Sequence, residues 1–155
     1  MMITIITAVE QTIAASPEDL YDLVSVPANW PELIPSSERV EGGTRGSAAV
    51  GARFADHIRD PVTGLQTRLD YIVRRAERGK VFEFSAEEPF GRPDVGYTVT
   101  YSLEPAPDGT TFRREARTEY SERRPLPRDL LDATLSEPVH GSVYLDNVRA
   151  KFEPK

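Results

Sequence analysis

Between Asp129 and Phe152 the chain spells out one side of a helix: Leu131, Leu135, Val139, Ser142, Leu145, Val148 and Phe152 recur at steps of three and four. A stripe of this length must be buried against a complementary surface, and that demand limits the folds open to the chain. The stripe is apolar at both ends, but Pro138, Gly141 and Ser142 bring little bulk to its middle. Two readings follow. Either the helix lies across a curved sheet and its thin middle leaves room for a small molecule, or Pro138 divides two ordinary helices with Gly141 as a break.

The rest of the chain supplies the sheet. Ile3, Ile5, Val9 and Ile13 alternate with Thr4, Glu10 and Thr12, which predicts a first strand. Ser16-Pro17-Glu18-Asp19 predicts a helix start: a capping hydroxyl, a proline at the first helical position and acids in the first turn. Leu20, Leu23 and Val24 are its buried side, and Pro27 and Pro31 keep it short. A second short helix is expected over 28–34, carrying Trp30 and Leu33 and closed by Pro35.

From Ser36 onward, strands alternate with turn residues. Strands are expected at 38–41, 50–59, 65–74, 81–86, 95–103 and 111–120. Between them lie Gly42-Gly43-Thr44-Arg45-Gly46, Asp60-Pro61-Val62-Thr63-Gly64, Glu77-Arg78-Gly79-Lys80, the loop 88–93 and the turn 105–109. Strands joined by such short turns form an antiparallel meander. The expected fold is therefore α+β, one domain over residues 1–155. Its first strand, set apart by the short helices, is free to pair with the last, and the long helix covers the concave face.

Several functions are disfavoured by composition. A net charge of −6 does not suit a nucleic-acid or anionic membrane surface. The absence of cysteine removes disulfides and thiolate chemistry. The N-terminal residues have neither a basic region nor a long apolar run, so no signal peptide or membrane span is expected, and the expected location is the cytoplasm. His57 and His140 lack a third ligand at metal-like spacing, and there is no Gly-rich phosphate loop and no G-x-S-x-G. Neither a metal nor a cofactor is expected.

Strand parity sorts the side chains by face. Phe54, Leu69, Tyr71, Phe82, Phe84, Val95, Tyr97, Val99, Tyr101, Leu103, Phe112, Ala116 and Tyr120 fall on the inner face. Among them the same parity places Gln11, Asp56 and Arg114. Charges there need a partner or water. Asp56 and Arg114 either pair near a strand end or converge on a wet pocket that takes a small molecule. Tyr71, Tyr97 and Tyr101 are either core aromatics or donors to a ligand oxygen. His140 is either an exposed helix residue or an acid–base group beside the thin stretch. The Arg-rich segment 122–128, at a pocket mouth, would draw in an anionic carrier or ligand.

Element order and local motifs together resemble a known superfamily. The motifs are Ile13-Ala14-Ala15-Ser16-Pro17-Glu18-Asp19-Leu20-Tyr21, Asn29-Trp30-Pro31-Glu32-Leu33-Ile34-Pro35, Val50-Gly51, Gly109-Thr110-Thr111-Phe112 and Tyr144-Leu145-Asp146-Asn147-Val148-Arg149. In this order they look like the START-like, helix-grip (SRPBCC) superfamily, and within it the polyketide cyclase/dehydrase and lipid-transport family. The resemblance implies a seven-stranded curved antiparallel sheet gripping a long C-terminal helix, with an apolar cavity between.

It further implies a hydrophobic ligand, polyketide-like or lipid-like, and for some members cyclisation of a substrate delivered by an acyl carrier protein. Its motifs bring no catalytic residue with them. Matched by face alone, the positions of catalytic type are Asp56, Arg114 and Tyr97. Those for binding are Gln11, Phe54, Tyr71, Phe84, Tyr97, Tyr101, Tyr120, Gly141, Ser142 and Leu145. An aromatase/cyclase-like enzyme and a carrier or self-resistance protein that leaves its ligand unchanged are both open. Pro138 and Gly141 depart from the smooth last helix usual in such proteins.

Overall fold

A computed structural model of the chain describes residues 1–43 and 45–154; Thr44, in the expected turn after the second strand, lies outside them. The first strand, β1 (Met2–Ile13), shows the expected alternation, with its odd residues turned inward and Ile13 fully buried. Helix α1 (Pro17–Val24) starts as expected: the Ser16 hydroxyl accepts from the Asp19 N–H at 3.1 Å, and Pro17 stands at the first helical position. A short 3-10 turn leads into α2 (Trp30–Leu33), where the Trp30 indole donates to the Val24 carbonyl at 3.0 Å and ties the two helices together.

Six strands follow: β2 (Ser37–Gly42), β3 (Arg53–Arg59), β4 (Gln66–Glu77), β5 (Val81–Glu87), β6 (Gly96–Ala106) and β7 (Gly109–Ser121). The seven form one antiparallel sheet in the order β1-β7-β6-β5-β4-β3-β2. Strand β3 begins at Arg53, later than residue 50, and β4 continues past residue 74 through a bulge between Val73 and Arg75. Strand β1 closes on β7 from Met2↔Ser121 to Ile13↔Thr110.

The closure depends on Gly109. At its φ of +144° a side-chain carbon would lie 2.0 Å from the Ile13 carbonyl oxygen, so only glycine lets the β6–β7 turn meet the end of β1. Beside it the Thr110 hydroxyl donates to the Ala15 carbonyl at 2.7 Å.

On β6, Tyr97, Val99, Tyr101 and Leu103 are all buried, the regular inner row that alternation predicts. Around Tyr101 gather Trp30, Phe82, Phe84, Phe112 and Tyr144, mostly tilted or edge-to-face. A separate small cluster joins Val95, Tyr120, Leu126 and Leu130.

The C-terminal segment departs most from expectation. It is two helices, α3 (Arg128–Leu135) and α4 (Glu137–Ala150), and the division falls at Ser136, not at Pro138. Pro138 sits in the first turn of α4, where a missing N–H costs nothing. The division also changes the phase of the buried side. Leu135 and Val139 are 55 % and 61 % exposed, and Ser142 is exposed. The residues turned to the sheet are Glu137, His140, Gly141, Tyr144, Leu145 and Val148.

Gly141 does not roof a space. A side-chain carbon there would stand 3.3 Å from Val9 Cγ2, so the small residue permits close approach of α4 to β1. Among the described residues, no helix is long and apolar enough to cross a membrane.

Candidate active site

The open space lies off the thin middle of α4, against the division between α3 and α4. Trp30, Leu69, Tyr71, Phe84, Phe90 and Leu130 give it apolar walls. Asp56, Asp60, Tyr97, Arg114, Glu137 and His140 reach into the same space. The cavity has a volume of about 80 Å³. An aromatic cavity with a few convergent polar groups has the form of a small-molecule site.

Arg114 stands midway along β7, opposite Tyr101 on β6 and Val9 on β1. Its Nη1 is 2.8 Å from Glu137 Oε1, and both side chains are about nine-tenths buried. The Tyr97 hydroxyl donates to the same oxygen at 2.6 Å. The start of α4 places Glu137 there, since the chain turns at Ser136 and aims the first residue of the new helix at the sheet. Burial opposes the charge on Arg114, but Glu137, with Tyr97 and Tyr101 beside it, holds the guanidinium pKa well above its usual value. Burial, and then Glu137, push the Tyr97 hydroxyl well up, so it remains a proton donor in hydrogen bonds at neutral pH.

Asp56 occupies the inner parity of β3 between Phe54 and Ile58. It accepts from the Ser37 hydroxyl at 2.6 Å. Burial pushes its carboxyl up to about 6, against the opposing pull of Ser37, His57 and Arg114. A carboxyl in this range takes up and gives back protons near neutrality.

Asp60 closes β3. Its Oδ2 accepts from the Val62 N–H at 3.0 Å, the Thr63 N–H at 2.7 Å and the Thr63 hydroxyl at 3.0 Å. His140 is buried and does not lie on an exposed helix face. Its Nδ1 is 3.9 Å from Asp60 Oδ1.

Of the residues that sequence parity singled out, Asp56, Tyr71, Phe84, Tyr97, Tyr101 and Arg114 meet at this cavity. The others stand elsewhere. Phe54 and Leu145 belong to the packed core and Tyr120 to the small cluster with Leu126. Gln11 donates to Asp146 Oδ1 at 2.9 Å along the flank of α4. Gly141 packs on Val9, and Ser142 faces outward.

Asp56 and Arg114 make no ion pair with each other; their close partners are Ser37 and Glu137. Glu137 escaped the sequence reading, although Ser136-Glu137-Pro138 repeats the kind of helix-start signal read at Ser16-Pro17-Glu18. In the Arg-rich segment, Arg124 and Arg128 face Asp94 and Asp132, and Leu126 anchors the chain beside Leu130 of the cavity wall.

Residues 4–153 match the family described as polyketide cyclase / dehydrase and lipid transport. Penitrem biosynthesis cluster 1 protein I of Penicillium ochrochloron is 34 % identical over 137 residues, covering 86 % of this chain and 87 % of the relative. The fold is also that of the di-domain ARO/CYC StfQ from the steffimycin biosynthetic pathway, with a TM-score of 0.72 and 14 % identity over 95 % of this chain and 50 % of that one. Major latex-like protein 151 of Panax ginseng gives a TM-score of 0.71 with 12 % identity, covering 97 % and 99 %.

Proposed function

The chain belongs to the polyketide cyclase / dehydrase and lipid transport family, and from that premise we propose that its cavity binds a hydrophobic, polyketide-like molecule and cyclises or dehydrates it by proton transfer. One observation carries this reading. A buried carboxyl with a pKa of about 6, Asp56, lines the same apolar cavity as the Arg114–Glu137–Tyr97 group. Asp56 takes a proton from the carbon beside a substrate carbonyl. The Arg114 guanidinium, held in place by Glu137, stabilises the resulting enolate oxygen, and the Tyr97 hydroxyl joins it by turning its one proton from Glu137 to that oxygen. The proton on Asp56 then goes to the departing hydroxyl in a dehydration, or to the newly formed alkoxide in a cyclisation.

Two likenesses support a biosynthetic role: a relative named for a biosynthesis cluster and the shared fold with an ARO/CYC protein. A cytoplasmic location and delivery of substrate by an acyl carrier protein belong to the same reading, with the Arg-rich segment tied by Leu126 to Leu130 of the cavity wall. Conversion of a panel of linear polyketide analogues, followed by mass spectrometry, tests it. Asp56→Asn and Arg114→Met should each lower turnover by about 10²-fold or more. Wild-type rates in both variants would show that these residues do not carry the chemistry.

A carrier that leaves its ligand unchanged is the second reading. It is favoured by the way Arg114, Glu137 and Tyr97 satisfy one another. Native mass spectrometry that recovers an intact complex, with no product after long incubation, would select it.

A further inference from the structure

His140 and Asp60 take no part in the proton transfer described above, yet both line the cavity and are 8 % and 6 % exposed. Of their facing atoms, that of His140 is bare. Among the described residues the buried His140 Nδ1 meets no hydrogen-bond partner. Asp60 is held from behind, where its Oδ2 fixes the turn through Val62 and Thr63, and its Oδ1 faces His140. The 3.9 Å between Nδ1 and Oδ1 is too long for a hydrogen bond. It is, however, a span that one hydroxyl oxygen bridges with two bonds of about 2.8 Å.

We propose that His140 and Asp60 form a two-point clamp for a hydroxyl group, so that the ligand of this cavity is an apolar molecule bearing an alcohol. The hydroxyl donates to Asp60 Oδ1 and accepts from the Nδ1–H of a neutral His140. A carboxylate or phosphate in that place would stand against the Asp60 carboxylate, since Glu137 is already paired with Arg114, and is disfavoured. The imidazole is suited to the role because it stays neutral. Burial lowers its pKa, Glu137 and Asp60 oppose the shift, and Arg114 reinforces it. A clamp of this kind discriminates strongly, since an analogue without the hydroxyl proton leaves Asp60 Oδ1 unmatched in a water-poor site.

The clamp rests on the cavity being a ligand site, and its test separates the two ideas. The chain has one tryptophan, Trp30, and it lines the cavity, so intrinsic fluorescence reports occupancy. Menthol and menthyl methyl ether serve as probes: both are compact and apolar, and only menthol has a hydroxyl proton. Menthol should bind at least about tenfold more tightly to the wild type, and the ratio should fall to about one in His140→Phe and in Asp60→Asn.

Carbon–proton NMR of the wild-type imidazoles gives a readout that needs no variant. The chain has two histidines, and His57 lies beside Glu41 away from the cavity. Menthol should move the His140 signals, and the ether should move them far less, with His57 unchanged under both. Equal binding of both probes, or a preference that survives in His140→Phe, would overturn the clamp and leave the cavity reading standing. No response of Trp30 or His140 to either probe would overturn both.

Discussion

The two halves of the space under α4 are built from the same strands and are opposite in kind. Around Phe112 the inner face is filled: the ring is fully buried, and Tyr101 and Tyr144 stand edge-on to it with centroids 5.4 and 6.0 Å away. Two residues along β7, Arg114 brings a full charge inside, and β3 adds Asp56. The first half lowers the free energy of the fold through burial; the second raises it through desolvated charge. A sheet can carry such a polar patch because the aromatic half supplies stability in excess. The division of labour is testable, since substitutions in the two halves should differ in size, in sign and in their dependence on pH.

The largest loss should come from the filled half. Phe112→Ala removes a fully buried ring and should cost about 4 kcal/mol, read as a shift of the urea unfolding midpoint with an unchanged slope. A loss below about 1 kcal/mol would mean that this half is not packed as described.

In the polar half, Arg114→Met should cost about 3 kcal/mol, because it strands the buried Glu137 carboxylate with only the Tyr97 hydroxyl beside it. Adding Glu137→Gln should restore most of that loss, as both charges are then gone. If the double variant is no more stable than the single one, the pair is not the source of the cost.

Asp56→Asn should act in the other direction. The Asp56 carboxyl is raised from 3.8 to about 6 in the fold, so the native state holds its proton where the unfolded chain has released it. The stability this confers is complete below about pH 4 and is lost as pH rises through about 6. At about 1.4 kcal/mol per pH unit, the wild type loses up to about 3 kcal/mol on that account between pH 4 and 8. The asparagine variant keeps an oxygen to accept from Ser37, and should be more stable than wild type at pH 8 with a flatter profile. Parallel pH profiles for the two proteins would remove Asp56 from the account.

The same contrast explains what could be read from sequence. Turn glycines and prolines delimit the strands, and a period of two leaves little freedom, so Tyr97 to Leu103 and the inward aim of Asp56 and Arg114 follow from parity alone. A helix is less forgiving, since each residue turns it by about 100° and a slip at one point carries every later side chain around the axis. A single period over 130–152 turns Leu135, Val139 and Ser142 inward and leaves Glu137 out. The polar half of the site is therefore legible in part: Asp56, Tyr97 and Arg114 follow from parity, and Glu137, the partner of the last two, does not. Gln11 shows the limit of parity as well, because it has the inward phase but lies at the flank of α4, bonded to Asp146.

Gly141 gives the smallest effect and the sharpest distinction between the halves. Thin residues on a helix leave a hollow only where nothing moves in to fill the space, and here Val9 of β1 has moved in. An alanine at this position gains about 1 kcal/mol of helix propensity. Its methyl group meets Val9 Cγ2 at 3.3 Å, a contact that a small shift of the valine can relieve. Gly141→Ala should therefore change stability by less than about 0.5 kcal/mol in either direction, measured by urea unfolding. Gly141→Leu cannot be relieved in that way and should cost about 1–3 kcal/mol as α4 is pushed off β1. Menthol binding per folded molecule should stay within about twofold of wild type in the alanine variant, because the cavity lies toward His140 and Glu137 and not over Gly141. A tenfold loss of binding by Gly141→Ala with unchanged stability would place the ligand under the middle of α4 after all.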